Sequence, residues 1–443
     1  MTTLTIIIIA VFVFGYLCIA LESWTKVNKA AVALLMCAFC WTLYMFNPGA
    51  YLPGIAEGDI LSKVTEVIGY HLGDASGTLF FLMGAMTIVE IVDSNGGFNF
   101  VRDTMKTRSK RKLLWRMAFM TFFLSAILDN LTTSIVMIMV LRKLVQDRKD
   151  RLVYAALVII AANSGGAFSP IGDVTTIMLW IKGVITTQGV LTELFIPSVI
   201  SMVVPAFILQ FSLKGKFDKE QNLPAADVSR FTQTQRNVIF WLGVGGLMFV
   251  PVFKTITHLP PFMGIILVLG VLWTVTEIFQ HDLSEDDTMA KRVSQLLSKI
   301  DLTTIMFFLG LLMAVAVLEE VGVLTAMGEG LNVVFNGNHY LVTGIIGVLS
   351  SVVDNVPLVA GCMGMYPVEA AGDMAPDGIF WQLLAYCAGV GGSMLIIGSA
   401  AGVVVMGLEK ITFGWYLRRI TPLAFAGYLA GIVCYWLLRT FIF

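Results

Sequence analysis

Two Asp-Asn pairs interrupt long apolar stretches of this sequence, Asp129-Asn130 in the first half and Asp354-Asn355 in the second. An aspartate deep in a membrane costs roughly 2.5–3.5 kcal/mol on the translocon scale, so it needs a cation, a proton or a basic side chain as its partner. No Lys or Arg is expected at the same depth. The pattern therefore predicts that both carboxylates bind a cation or a proton, although Asp and Asn are also good helix N-caps.

Each Asp-Asn pair is followed by a glycine-rich segment, residues 163–173 (NSGGAFSPIGD) and residues 389–398 (GVGGSMLIIG). The Gly pairs, together with Pro170 in the first segment, should unwind a helix and free backbone carbonyls that can bind Na⁺. If the helix resumes at Pro170, Asp173 and Thr176 share a face. Asp173 is then a candidate for proton coupling, and its alternative role is a helix N-cap or a buried hydrogen-bond acceptor.

The candidate ion ligands share an oxygen-bearing side chain in one of these segments. They are Asp129, Asn130, Thr132, Thr133, Asn163, Ser164, Ser169, Asp173, Thr176, Asp354, Asn355 and Ser393. Half of the hydroxyl groups of Thr132, Thr133 and Ser134 could instead satisfy backbone groups nearby. Proton coupling could fall to Asp129, Asp173 or Asp354. The second glycine-rich segment carries Ser393 and is followed by Ser399, but has no acid at the position of Asp173, so Asp173 breaks the similarity between the halves.

Composition defines the setting of these motifs. Of 443 residues, 57% are hydrophobic and only 13% are charged, against about a quarter charged in soluble proteins. Apolar runs near the roughly 20 residues that cross a bilayer recur along the whole chain. The formal net charge of -1 gives no electrostatic reason to expect nucleic acid as a partner. The sequence therefore predicts an all-α polytopic membrane protein and excludes a soluble one.

The distribution of Lys and Arg predicts two re-entrant hairpins, because basic loops stay in the cytoplasm. The basic segments 102–116 and 142–151 flank a single apolar stretch, 113–141, whose two arms are each too short to span. Hairpin 341–367 lies between two segments without Lys or Arg and should enter from the opposite face. Alternation then places the N-terminus outside, with the first apolar run retained as a helix.

The other predicted spans follow by the same alternation, and the amphipathic stretch 55–72 is expected at the interface. They lie near residues 4–21, 30–46, 75–93, 152–186, 194–212, 237–253, 261–279, 301–319, 378–408 and 420–438.

The two halves resemble each other at an offset of about 225 residues, in the order span, hairpin, broken helix, span. Opposite charge patterns predict that they form an inverted-topology repeat, the plan that places a transport site near the midplane. The predicted domains are N-terminal helices with an external loop (1–74), repeat 1 (75–212, broken helix 152–186), connector and scaffold helices (213–300) and repeat 2 (301–443, broken helix 378–408).

With these motifs identified, the chain resembles the NhaD-type Na⁺/H⁺ antiporters of the ion transporter superfamily over residues 77–443. The resemblance rests on DNLTT at 129–133, on residues 163–173, on DNVP at 354–357 and on residues 389–402. It implies exchange of Na⁺ or Li⁺ for H⁺, no cofactor, and a homodimer in a membrane, expected to be a bacterial inner membrane. It also implies that Asp129, Asn130, Thr132, Asp354 and Asn355 line the ion path.

One departure bears on the transported species. Dicarboxylate carriers of the superfamily have a neutral Ser-Asn-Thr motif at the hairpin tips. Here Asp129 and Asp354 replace that Ser, and the second tip lacks the Thr, which favours a cation over a carboxylate.

Three mechanisms fit the residues to different degrees. In the first, Na⁺ and H⁺ compete for one buried carboxylate, since burial favours the neutral form and Na⁺ binds only the ionised one. In the second, half-helix N-termini hold a carboxylate or another anion that moves with Na⁺. The third, remote alternative is an intramembrane aspartyl protease, indicated only by the Gly-Asp element at Gly172-Asp173. We expect the first, a secondary transporter working by alternating access.

Overall fold

The computed structural model describes residues 2–20, 26–52, 54–97, 104–105, 107–213, 215–217, 231–281, 293–352 and 354–442. Residues 98–103, 218–230 and 282–292, which the sequence assigns to connecting loops, lie outside the described residues, as do several of the basic residues used to orient the chain. The longer helices are Thr3–Ala20, Lys29–Met45, Ile60–Ser94, Lys110–Leu128, Asn130–Leu144, Arg148–Ala167, Val174–Lys182, Thr187–Leu209, Gln233–Thr257, Pro261–His281, Leu302–Glu320, Val323–Val334, His339–Leu349, Asn355–Met365, Ile379–Gly391, Ala400–Glu409, Phe413–Arg419 and Thr421–Phe441.

The chain is an all-α polytopic membrane protein, as predicted. Within the described ranges, six helices are long and apolar enough to cross a membrane. One boundary was wrong: the span expected near 75–93 begins at Ile60 and runs without interruption to Ser94. Most of the stretch 55–72 belongs to this helix, and its expected place at the membrane interface stays a prediction. Gly69 and Gly73 lie within the helix and do not end it, because isolated glycines lower helix stability by only about 1 kcal/mol each.

The structure divides into two compact units. The first comprises residues up to Met83, Asp301–Asn338 and Pro357–Pro367. In this unit, helix Lys29–Met45 packs along helix Leu302–Glu320, and the Trp41 indole N–H donates to the Met313 carbonyl at 2.9 Å.

The second unit contains the predicted motifs and comprises Gly84–Ile300, His339–Val356 and Val368–Phe443. Helices Lys110–Leu128 and Asn130–Leu144 meet at Asp129, and we call them the first helix pair. The second helix pair, His339–Leu349 and Asn355–Met365, is interrupted around Asp354, and only the start of its second helix belongs to this unit.

Two further helices of the second unit are broken in the middle. The first interrupted helix consists of Arg148–Ala167 and Val174–Lys182, and the second of Ile379–Gly391 and Ala400–Glu409. Each packs against the preceding helix pair: Arg148–Ala167 lies along Lys110–Leu128, and Ile379–Gly391 lies along His339–Leu349. The two interrupted helices also contact each other, which brings their breaks together in this unit.

Candidate ion-binding site

The break in the first interrupted helix places Asp173 at the start of its second half. The helix ends at Ala167 and resumes at Val174, so the restart at Pro170 that the sequence left open does not occur. Residues 168–173 form turns and bends. Asp173 then adopts an extended conformation and caps the next helix, since its carboxylate accepts the Thr175 N–H at 3.1 Å. Thr176 completes a capping box through the Asp173 backbone. The N-cap role that the sequence left open for Asp173 is therefore present.

The same carboxylate receives amide groups from both helix pairs. Asn130 Nδ2 donates to Asp173 Oδ2 at 2.8 Å, and Asn355 Nδ2 approaches Oδ2 at 3.2 Å and Oδ1 at 3.4 Å. Asp173 is 1% exposed, and both asparagines are buried. The three residues come from positions far apart in the sequence. Asp173, and not either tip aspartate, is therefore the centre of this hydrogen-bond network.

Asn163 extends the network to the second interrupted helix. Its Oδ1 accepts Asn130 Nδ2 at 3.1 Å. Its Nδ2 donates to Ser393 Oγ at 3.0 Å and to Ser399 Oγ at 2.9 Å. The candidate site is thus a continuous chain of amide, carboxylate and hydroxyl groups contributed by both interrupted helices and both helix pairs.

The tip aspartates lie beside this network and have different partners. Asp129 is half-buried, and its carboxylate accepts the backbone N–H and the hydroxyl of Thr132, both at 2.8 Å. Asp354 Oδ1 accepts the Val356 N–H at 3.3 Å. Each of the three acids therefore accepts a backbone N–H at the start of the helix that follows it.

Four of the other predicted ligands do not donate a hydrogen bond to the Asp173 carboxylate. Ser164 Oγ accepts a hydrogen bond from Ser201 Oγ at 2.9 Å. Ser169 Oγ donates to the Ala126 carbonyl at 2.6 Å. Thr176 serves the Asp173 backbone, and the buried Thr133 hydroxyl has no hydrogen-bond partner among the described residues. The structure places these four close to the helix breaks without bringing them to the carboxylate.

Ser399 is the network residue that the list of candidate ligands left out. It caps helix Ala400–Glu409 with φ -146° and ψ 154°, nearly the same conformation as Asp173, which has φ -146° and ψ 148°. The sequence feature that points to Ser399 is its position, which corresponds to that of Asp173 when the two halves are compared. Serine carries no charge, so this position alone does not indicate an ion ligand.

Matching contacts hold each interrupted helix against its helix pair. Ser125 Oγ donates to the Ala162 carbonyl at 2.6 Å, and Ser350 Oγ donates to the Ala388 carbonyl at 2.8 Å. Each serine lies four residues before the aspartate of its tip, Asp129 or Asp354. The two halves therefore use the same residue type to fix the same relation between tip and break.

The arrangement suits a small cation or a proton. Across the described residues, no Lys or Arg donates a hydrogen bond to Asp129 or Asp173, and Asp173 accepts only from neutral N–H groups. A buried carboxylate with neutral partners still requires compensation of its charge. Na⁺ prefers oxygen ligands as a hard cation, and the carboxylate, amide and hydroxyl oxygens around Asp173 are of that kind.

The backbone of Asp129 allows its structural and chemical roles to be separated. Its φ of 75° and ψ of 159° lie in a region populated almost only by glycine, which costs other residues about 1–3 kcal/mol. We expect Asp129→Gly to have a higher Tm than Asp129→Ala, since both lose the Thr132 contact but only glycine relieves the strain. Thermal unfolding in detergent measures the difference.

Asp301 provides the matched control. It caps helix Leu302–Glu320 through Thr304 in the same manner, but its φ is -72°. There the glycine variant should exceed the alanine variant in Tm by less than at Asp129, because only the general preference for glycine over alanine at an N-cap applies. Equal Tm values for Asp129→Gly and Asp129→Ala would show that the tip is not strained.

Polar helix breaks around a buried carboxylate, inside a polytopic membrane protein, are the features of a membrane transporter. The family model described as citrate transporter matches residues 16–384. Similar proteins include sodium/proton antiporter 1 of Arabidopsis thaliana, 46% identical over 96% of this chain and 71% of the relative. Sodium/proton antiporter 2 of the same plant is 40% identical, covering 97% and 99%. The Na⁺/H⁺ antiporter NhaD of Alkalimonas amylolytica is 30% identical, covering 97% and 90%.

The chain belongs to this citrate transporter family of the ion transporter superfamily and, within it, to the NhaD-type group. The resemblance stated from its motifs is thereby confirmed. The names of the family and of these relatives describe transporters and not enzymes, so the aspartyl protease alternative is set aside.

Proposed function

We propose that this protein exchanges Na⁺ for H⁺ across a membrane, with Asp173 as the group for which the two ions compete. The observation that carries the proposal is the buried Asp173 carboxylate, which accepts from Asn130 and Asn355 and from no basic side chain in the described part of the chain. The names of the similar plant and bacterial antiporters support it.

Competition follows from the charge of the carboxylate. An ionised, uncompensated Asp173 would oppose movement through the membrane by roughly 2.5–3.5 kcal/mol, which corresponds to a factor of about 100 in population. A bound Na⁺ or a bound proton removes that penalty. Both loaded forms therefore cross and the empty form does not, which gives exchange and prevents leak.

The two asparagines connect the carboxylate to both helix pairs. An amide hydrogen bond to an ionised carboxylate is stronger than one to a neutral group. Protonation or Na⁺ binding at Asp173 should therefore weaken its contacts with Asn130 and Asn355 together. Binding of an ion at Asp173 would in this way change the hydrogen bonds that hold both tips.

The remaining predictions belong to the same proposal. The two halves act as an inverted repeat, with the helix pairs as re-entrant hairpins entering from opposite faces. The protein is a homodimer in which a transport domain moves against a scaffold, and it also accepts Li⁺. Its membrane is a bacterial inner membrane with the N-terminus outside. The matching Ser125 and Ser350 contacts support the repeat.

The test is ion exchange in proteoliposomes with a pH dye trapped inside. After a pH gradient is imposed, we expect Na⁺ or Li⁺ added outside to collapse it, and K⁺ or citrate to leave it unchanged. Liposomes without protein are the control. The family description favours one alternative, Na⁺-coupled citrate uptake. Accumulation of labelled citrate on a Na⁺ gradient, with no effect of cations on the pH gradient, would replace the antiport proposal with that alternative.

A further inference from the structure

A second buried acid, Glu409, ends the second interrupted helix. Its side chain is 1% exposed and contacts two arginines. Arg142 Nε donates to Glu409 Oε1 at 2.7 Å, and Arg151 Nε donates to Oε2 at 2.6 Å. Each carboxylate oxygen thus has its own guanidinium group. We call Glu409, Arg142 and Arg151 the arginine clamp.

Arg142 of the clamp and the nearby Arg148 also cap the helix that Glu409 ends. Arg142 Nη2 donates to the Leu408 carbonyl, and Arg148 Nη2 donates to the Lys410 carbonyl at 3.3 Å. The last carbonyls of a helix have no intrahelical partner and carry its negative end. The clamp therefore fixes both the side chain and the backbone at this end of helix Ala400–Glu409.

Each of the three clamped helices carries a residue of the Asp173 network at its other end. Helix Asn130–Leu144 holds Asn130 and Arg142, and helix Arg148–Ala167 holds Asn163 and Arg151. Helix Ala400–Glu409 begins at Ser399 and ends at Glu409. In all three, network and clamp are separated by about three helical turns, or ~15–18 Å along the axis.

Because the three helices are joined at both ends, their relative movement is restricted. The Asn130–Asn163 and Asn163–Ser399 hydrogen bonds join the three helices at one end, and the arginine clamp joins the same three helices at the other. Helices fixed at both ends cannot slide or rotate independently. The clamp therefore sets the distances among the three network side chains without touching them.

We propose that Glu409, Arg142 and Arg151 are positioning residues for the Asp173 site, acting through the three helices that they bind. This inference rests on the proposed function for its transport readout. It predicts that loss of the clamp weakens cation binding more than it slows turnover, because the Asp173 carboxylate itself remains.

The first experiment compares Na⁺-driven proton exchange in wild type, Glu409→Gln and Arg142→Gln. We expect either variant to raise KM for Na⁺ about tenfold, equivalent to ~1.4 kcal/mol, with the maximal rate changed less than KM. The double variant should do no more than the larger single one, since both remove one interaction. Lys143→Gln is the matched control: it removes the same charge from an exposed neighbour and should leave KM unchanged.

A second readout does not depend on which ion is transported. Hydrogen–deuterium exchange in Glu409→Gln should rise around Ser399 and Asn163 as well as next to Glu409. If Glu409→Gln does not fold, Arg142→Lys keeps the charge but loses the guanidinium geometry, and an intermediate rise in exchange is expected. Exchange confined to the neighbourhood of residue 409, or an unchanged KM in a protein that transports Na⁺, would overturn the inference. Wild-type protein that moves no cation would instead overturn the proposed function.

Discussion

Asp173→Asn is expected to abolish Na⁺-driven proton movement while the protein remains folded. Asparagine has nearly the same shape and keeps an oxygen that can accept from Asn130 and Asn355, but it neither ionises nor binds a proton at neutral pH. Removing the group for which the ions compete should lower exchange by a factor of about 100 or more. The measurement is the initial rate of proton flux in proteoliposomes, with the Tm of the purified variant recorded alongside.

Asp301→Asn is the matched control for this substitution. Asp301 also caps a helix with its carboxylate, through Thr304, but it is exposed. Its variant should exchange Na⁺ and H⁺ at the wild-type rate. Substantial exchange by folded Asp173→Asn would move the coupling role to Asp129 or Asp354.

Gly165→Ala is expected to produce the largest loss of stability. A Cβ at Gly165 would lie 2.1 Å from the Phe122 carbonyl oxygen and 2.8 Å from the Phe122 Cα, both backbone atoms. The first interrupted helix could accept the methyl group only by moving away from helix Lys110–Leu128. We expect a loss of about 3 kcal/mol or more, at the upper end for overpacking, seen as a large fall in Tm and in the yield of folded protein.

The second half offers a repeat of this experiment and a control. A Cβ at Gly391 would lie 2.2 Å from the Gly347 carbonyl oxygen, so Gly391→Ala should be equally damaging. Gly407 lies in helix Ala400–Glu409 with nothing within 4 Å of its Cβ position. Gly407→Ala should leave Tm unchanged or raise it slightly. A wild-type Tm for Gly165→Ala would contradict the close helix contact.

Local signals explain which features could be predicted from the sequence. Gly165, Gly166 and Pro170 indicated an interrupted helix because they act on the backbone where they stand. Asp173 is predicted as a functional residue because a carboxylate in an apolar segment needs a compensating partner, whatever the neighbouring helices are. The assignment of membrane protein and of all-α class followed from composition and run length alone.

Contacts between distant residues could not be obtained in the same way. No local pattern in the sequence shows that Asp129 binds its own Thr132 while Asn130 reaches Asp173. The pairing of Glu409 with Arg142 and Arg151 depends on the rotation of three packed helices, which hydrophobic pattern does not specify. The start of the long helix at Ile60 is not predicted, because an amphipathic stretch has the same hydrophobic pattern at an interface and within a continuous helix.

Competition of Na⁺ and H⁺ for Asp173 is measured most directly as proton release when the purified protein binds Na⁺ in weakly buffered detergent solution. If both ions compete for Asp173, adding Na⁺ at a pH where the site is protonated should acidify the solution, by up to about one proton per bound Na⁺. Choline at the same ionic strength should release none, and Asp173→Asn should lose the response. Na⁺ binding without proton release, or undiminished release from Asp173→Asn, would contradict the central claim that one buried carboxylate exchanges the two ions.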